Sequence, residues 1–206
     1  MKTNILFLAT LLASSVLLQA DLIHRYRFEG GVSDRIGGID GAPTTATTNT
    51  EAPLYPADVP AGTVFGAPAQ SMEVGMDYGS KKSGFVVKDE SIISLTQGAY
   101  SLLMKADSMS SGDYIFAALS GASGPKIVGR DATTIRVSAG SPIAKVDLTI
   151  SSNTWHHVVV AWDNVAGDLV VYLDGQPAWN GTFEPFDIAP TSVRVGTFSL
   201  GDNTNN

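Results

Sequence analysis

Apolar and polar residues alternate with period two along much of this chain, the spacing of strands that bury one face. In an opening segment Leu22, His24, Tyr26 and Phe28 fall on one side, and Ile23, Arg25 and Arg27 on the other, before Glu29-Gly30-Gly31 ends it. The clearest run is Trp155 to Thr182. There Trp155, His157, Val159 and Ala161 share one side, and His156, Val158, Val160 and Trp162 the other. Asp163 to Asp168 reads as a polar turn containing glycine. Leu169, Val171 and Leu173 then alternate with Val170, Tyr172 and Asp174. Asp174-Gly175 is a tight-turn pair, because both central residues of a type I′ turn need positive φ. Gln176 to Phe183 runs back, which makes an antiparallel meander.

Shorter segments complete the pattern: Gln70 to Met76, Gly84 to Lys88, Tyr100 to Met104, Tyr114 to Leu119, Lys126 to Val128, Thr134 to Val137, Lys145 to Ile150 and Ser192 to Phe198. Gly, Ser or Asp separates many of them, and residues 33–63 read as a long surface excursion without an apolar run. No helical heptad or internal repeat interrupts this. The pattern predicts an all-β fold, a sandwich or barrel of short strands.

Residues 1–20 follow a different rule. Lys2 precedes an apolar stretch from Ile5 to Leu18, and Ala20 supplies a small residue before Asp21. This is the plan of a secretory signal peptide cleaved after Ala20, leaving residues 21–206 as one domain. The expectation is a protein that is secreted, periplasmic or held at the cell surface, with no membrane insertion after cleavage. The net charge of −7, and the lack of any basic cluster beyond Lys81-Lys82, argue against nucleic acid as a partner. The absence of cysteine excludes disulfides, thiolate nucleophiles and cysteine-bound zinc.

The run Trp155-His156-His157-Val158-Val159-Val160-Ala161-Trp162-Asp163, followed by Leu169-Val170-Val171-Tyr172-Leu173-Asp174-Gly175, resembles the signature hairpin of laminin-G-like domains. Those domains pair a W-x-H-V-x-V-x-x-D strand with an L-x-V-Y-x-D-G strand. Leu22 to Phe28 with Asp34 and Gly37-Gly38-Ile39-Asp40-Gly41 is similar to the family's first strand and glycine turn. Ser192 to Gly196 is similar to a late strand. The resemblance implies an antiparallel two-sheet jelly-roll sandwich of the concanavalin A-like lectin/glucanase type. It departs from the family in having no Trp between Tyr100 and Lys105. It also reaches Asn206 without the usual closing strand, which leaves either a truncated product or an unpaired sheet edge.

Three kinds of chemistry are open to such a fold. A retaining glucan hydrolase needs two carboxylates flanking the bond, written E-x-D-x-E or E-x-D-x-x-E on a strand, and no such run occurs. A Ser/His/Asp triad lacks its G-x-S-x-G elbow, though serine is abundant. His156 and His157 are consecutive and cannot chelate one metal from one strand face; one of them is expected to be a satisfied core histidine. Lectin-like sandwiches often hold Ca²⁺ on Asp and loop carbonyls, which makes Asp34 and Asp40 the candidate ligands, with a plain Asp/Gly turn as the alternative. For a sugar, stacking surfaces are needed: Trp179, Tyr172 and Tyr114 are the candidates, while Trp155 and Trp162 are read as core. The expected function is a non-catalytic recognition module for polysaccharide or glycan. The alternatives are an adhesion module binding an extracellular protein, or a glucan hydrolase.

Overall fold

The computed structural model describes residues 25–28, 30–45, 56–59, 71, 76–77, 81–87, 96–106, 109, 111, 114–119, 124–140, 144–185 and 192–196. The expected signal peptide and residues 22–24 lie outside them. All regular structure among the described residues is strand: β1 (Ala42–Thr45), β2 (Met76–Asp77), β3 (Lys81–Val87), β4 (Gln97–Lys105), β5 (Tyr114–Leu119), β6 (Lys126–Asp131), β7 (Thr134–Ala139), β8 (Ala144–Thr149), β9 (Trp155–Asp163), β10 (Asp168–Leu173), β11 (Gln176–Thr182) and β12 (Ser192–Gly196).

These form two antiparallel sheets. The larger runs β1-β3-β12-β5-β6-β7-β8, with β2 added to β3; the smaller runs β11-β10-β9-β4. Chain neighbours β5 to β8 and β9 to β11 are simple meanders. Three placements are non-local: β1 pairs with β3, β4 crosses to pair with β9, and β12 returns to sit between β3 and β5. The all-β, two-sheet architecture is therefore as expected.

The core lies between the sheets, and alternation decides what enters it. From the small sheet come Met104, Val158, Val160, Leu169 and Val171; from the large sheet come Ile115, Ile127, Ile135, Val137 and Leu148. Val158, Val160 and Val171 are fully buried, as are Ile127, Ile135 and Val137 opposite them. β-branched residues dominate because they are stiff at χ1 and fit the pleated surface. At one end of this core Tyr100 stacks on Phe116, with ring centroids 4.0 Å apart, and lies 6.1 Å from Trp162. Gly98 pairs with Trp162 across the strands, and a Cβ there would come within 2.7 Å of the indole, so glycine makes room for the ring.

Two expectations are corrected. The described part of the opening segment, residues 25–28, is not a strand: Tyr26 makes an isolated bridge to Asp34, and Phe28 has φ of 59°. Backbone groups there are taken by a local turn instead of a neighbouring strand. The excursion over residues 33–63 contains β1, whose Pro43 opposes Phe85 at the sheet's edge, where a residue without an N–H is tolerated. The Asp174-Gly175 turn is as expected, with φ of 52° and 77°.

The Tyr100 hydroxyl is buried with no hydrogen-bond partner, and burial pushes its phenol well above the usual value of 10.0. A buried unsatisfied hydroxyl costs about 1–3 kcal/mol. Tyr100→Phe is therefore expected to leave stability unchanged or raise it in urea unfolding; a clear loss would show that the hydroxyl has a partner.

Candidate functional site

The β9–β10–β11 hairpins are pinned at one end by a single carboxylate. Asp174 Oδ1 accepts the His157 backbone N–H at 2.8 Å, and Asp174 Oδ2 lies 2.8 Å from His156 Nδ1. The Ser151 N–H donates to His156 Nε2 at 3.0 Å, so Nε2 is the acceptor and Nδ1 carries the proton toward Asp174. His156 is thus the buried, satisfied core histidine. Burial raises the Asp174 carboxyl, but the His157 N–H and the His156 ring outweigh it and hold it below the usual 3.8.

With His156, Val158 and Val160 inward, the other parity of β9 faces out. Cross-strand register then assembles a strip on the outer face of the small sheet. Ser101, Val159, Tyr172 and Pro177 lie in one row, with Leu103 and His157 in the next and Lys105 and Trp155 beyond. Tyr172 and Leu103 are 36% and 39% exposed, which makes this an open apolar surface with polar groups set in it. Ser101 Oγ lies 2.7 Å from His157 Nε2. Trp155 Nε1 donates to Asp58 Oδ1 at 3.2 Å, and Lys105 Nζ donates to Asp58 Oδ2 at 2.5 Å, so the segment 56–59 forms a rim at one end. Trp155 and Tyr172 stand four residues apart in register, about 13 Å along the sheet.

The sugar-contacting candidates are not brought together. Trp179 pairs with the buried Val171 and packs against the core, whereas Tyr172 pairs with Pro177 on the opposite face. A bulge between Val171 and Tyr172 accompanies the change. Tyr114 belongs to the other sheet, opposite Val128; its side chain lies outside the described residues. Trp155, read as core, is on the outer strip instead. Its parity with His157 and Val159 was the available signal; the contact with Asp58 had none.

Asp34 and Asp40 are committed to a turn. Asp34 Oδ1 accepts the N–H groups of Arg25 and Ile36, each at 3.0 Å, and Oδ2 accepts that of Ile39 at 3.2 Å. Asp40 Oδ1 accepts the Asp34 N–H at 2.8 Å. Backbone donors converging on these oxygens present positive ends where a cation would have to sit, so the arrangement does not fit Ca²⁺. Nor is a Ser/His/Asp relay assembled among the described residues. Ser101 meets His157, but the bonds of Asp174 go to the His156 ring and the His157 main chain.

A cleft of about 520 Å³ opens at the far end of the sandwich, lined by Ala144, Val165, Ala166, Gly167, Thr182 and Glu184 among others. Three aspartates elsewhere have lowered carboxyl values. Lys105 and then Trp155 lower Asp58, Arg136 lowers Asp147, and the Ala166 N–H, with Gln97 and the Val165 N–H, lowers Asp163.

The family profile described as "Concanavalin A-like lectin/glucanases superfamily" matches residues 80–206. Comparison with curated proteins gives no match. Among solved structures, the chain is similar to domain 4 of AbnA, a GH43 extracellular arabinanase from Geobacillus stearothermophilus, in complex with arabinotriose (17% identity, TM-score 0.57, 85% of this chain and 91% of that one). It is also similar to botulinum neurotoxin type C, whose cell entry depends on two ganglioside molecules (13%, TM-score 0.56, 89% and 44%). A third is the binding domain of botulinum neurotoxin DC in complex with SialylT (12%, TM-score 0.58, 88% and 44%). At these identities the likeness is one of fold. The chain spans less than half of each toxin chain.

Asp174 carries a depressed folded-state pKa, so its contribution to stability is present above the unfolded carboxyl value and is lost as pH falls through the folded one. Stability is expected to drop below about pH 3.8. Asp174→Ala should flatten that part of the profile and cost roughly 1–3 kcal/mol at neutral pH, by leaving the His156 N–H unsatisfied. Urea melts of both proteins across pH 2.5–7 (roughly the carboxyl-to-neutral range) check this.

Proposed function

Because the chain belongs to the concanavalin A-like lectin/glucanase superfamily, we propose that it is a secreted, non-catalytic recognition module that binds polysaccharide or glycan on the outer face of its small sheet. The observation that carries this is the strip centred on Tyr172. An exposed aromatic ring suits the apolar C–H face of a sugar, and Ser101 and His157 on the same strip, with Asp58 at its Trp155 end, suit hydroxyls. Trp155 at the other end makes room for more than one sugar unit between the two aromatics. The solved neighbours with arabinotriose, gangliosides and SialylT support glycan as the ligand class.

The non-catalytic reading rests on the carboxylates. A retaining hydrolase needs one acid with a raised pKa beside an ionised partner, about 5–5.5 Å apart. Here Asp58, Asp131, Asp147, Asp163 and Asp174 are each shifted downward, by Lys105, Arg136, His157 or nearby N–H groups. The far-end cleft offers Glu184 as its carboxylate among the described lining residues. Leu103, exposed on the same strip as Tyr172, favours the second reading, an extracellular protein partner.

On a glycan array the protein is expected to bind a defined set of glycans, with EDTA making no difference. Tyr172→Ala should weaken that binding about tenfold or more, the loss of about 1.4 kcal/mol of stacking. Trp179→Ala should lower the melting temperature without changing which glycans are bound. A well-folded protein that binds no glycan sinks the carbohydrate reading. Binding that survives Tyr172→Ala but not Trp179→Ala moves the site to the other face. N-terminal sequencing of exported protein should begin at Asp21.

A further inference from the structure

Of the residues named on the outer strip of the small sheet, Asp58 alone comes from outside the sheet. Its carboxylate divides between a register pair. Lys105 and Trp155 are cross-strand partners; Asp58 Oδ1 accepts the Trp155 indole N–H at 3.2 Å, and Oδ2 accepts from the Lys105 ammonium at 2.5 Å. The Lys105 bond first, and the Trp155 bond second, lower the carboxyl below its usual 3.8. The segment that carries it is tied down as well, since the Pro56 carbonyl accepts the Ser71 N–H at 2.9 Å.

The main chain beneath Trp155 is fixed independently of Asp58. The Asn153 N–H donates to the Ala106 carbonyl at 2.6 Å, which ties the turn before β9 to the end of β4. Met104 and His156, the strand neighbours of Lys105 and Trp155, are buried and hold the opposite parity. What remains to be set is the half-buried indole itself, which turns about two side-chain torsions. Its N–H bond to Asp58 sets it. A ring held by its N–H keeps its face for stacking, and a ring ordered before binding costs less to immobilise when a ligand arrives.

We propose that Asp58 is a positioning residue that makes Trp155 the second stacking platform of the strip, and that the ligand is an uncharged oligosaccharide of more than two units, running between Trp155 and Tyr172. This rests on the glycan reading of the strip. Spacing sets the length. The two aromatics stand on adjacent strands, four residues apart in register, which is about 13 Å along the sheet. A sugar ring is about 5 Å across, from bonds near 1.5 Å, so a disaccharide seated on one aromatic does not reach the other. Charge sets the class. Val159, His157, Ser101 and Leu103 lie between the two and bring no carboxylate or ammonium, and the ammonium of Lys105 is engaged by Asp58. Hydroxyls meet Ser101 Oγ and His157 Nε2 there, themselves 2.7 Å apart.

Calorimetric titration of the full chain tests it, with di- and tetrasaccharides of the cello, xylo, malto, laminari and arabino series as probes and tetragalacturonate as the acidic control. In a series that binds, the tetrasaccharide is expected to bind about tenfold or more tighter than the disaccharide. Asp58→Ala should remove most of that ratio. Trp155→Phe, which keeps a ring but has no N–H, should lower the ratio too, and adding Asp58→Ala to it should cost nothing further, because Asp58 acts through the indole. Without sugar, Asp58→Ala should shift the tryptophan emission, and the shift should vanish in the Trp155→Phe background. A thermal melt reports whether each variant is folded; if Asp58→Ala is not, Trp155→Phe alone supplies the test. A flat ratio with binding that Tyr172→Ala still weakens, or a folded Asp58→Ala that keeps both ratio and emission, overturns this proposal and leaves the glycan reading standing. Tetragalacturonate binding tighter than every neutral tetrasaccharide overturns the ligand class. No binding in any series overturns the proposal, and the glycan array then decides the wider reading by itself.

Discussion

Strand β9 lies inside a four-stranded sheet that covers a core, and a strand in that position can bury only one of its two faces. That constraint organises the rest. Once Val158 and Val160 are fully buried, His156 must go in with them, and an imidazole in that position has to be satisfied on both nitrogens. Asp174 and Ser151 do this. Since Asp174 is also the first residue of the positive-φ turn, one side chain sets the tautomer of a buried histidine and fastens the β10–β11 turn to β9. The same parity places Trp155, His157 and Val159 outside, where β4 and β10 add Ser101, Leu103 and Tyr172. The proposed binding strip is the reverse side of the core.

Much of this architecture was legible because period-two alternation is a local signal. β5 matches its sequence segment residue for residue; β9 and β10 lie within the Trp155–Thr182 meander. The type I′ turn follows from Asp-Gly chemistry alone. Non-local pairings were not legible. Nothing in Ala42-Pro43-Thr44-Thr45 announces a strand, because an edge strand needs a neighbour more than an apolar face. The opening segment failed in the opposite sense: its alternation is regular, yet Tyr26 makes only an isolated bridge to Asp34 and the Arg25 N–H goes to the Asp34 carboxylate.

The site was less legible than the fold, for a related reason. Residue type makes an aromatic eligible for stacking, but register and bulges decide which face it occupies. Tyr172 and Trp179 sit in the same hairpin and would share a surface in a regular ladder of the right phase; the bulge beside Val171 accompanies their separation, sending one to solvent and the other to the core. Asp34 and Asp40 show the limit of composition. Acidic residues among glycines serve a cation or a turn equally well on paper, and only the direction of the surrounding N–H groups separates the two.

The position of β12 has a consequence in time as well as space. It pairs with β3 on one side and β5 on the other, so the two halves of the large sheet are joined by residues 192–196, more than seventy positions after β5 ends. Until those residues arrive, β3 and β5 each present an open edge, and closing the sheet carries the entropy of a long loop. A chain built this way cannot finish its larger sheet until residues 192–196 have left the ribosome. The larger sheet is therefore the last part of the sandwich to close, whatever the order in which its meanders form.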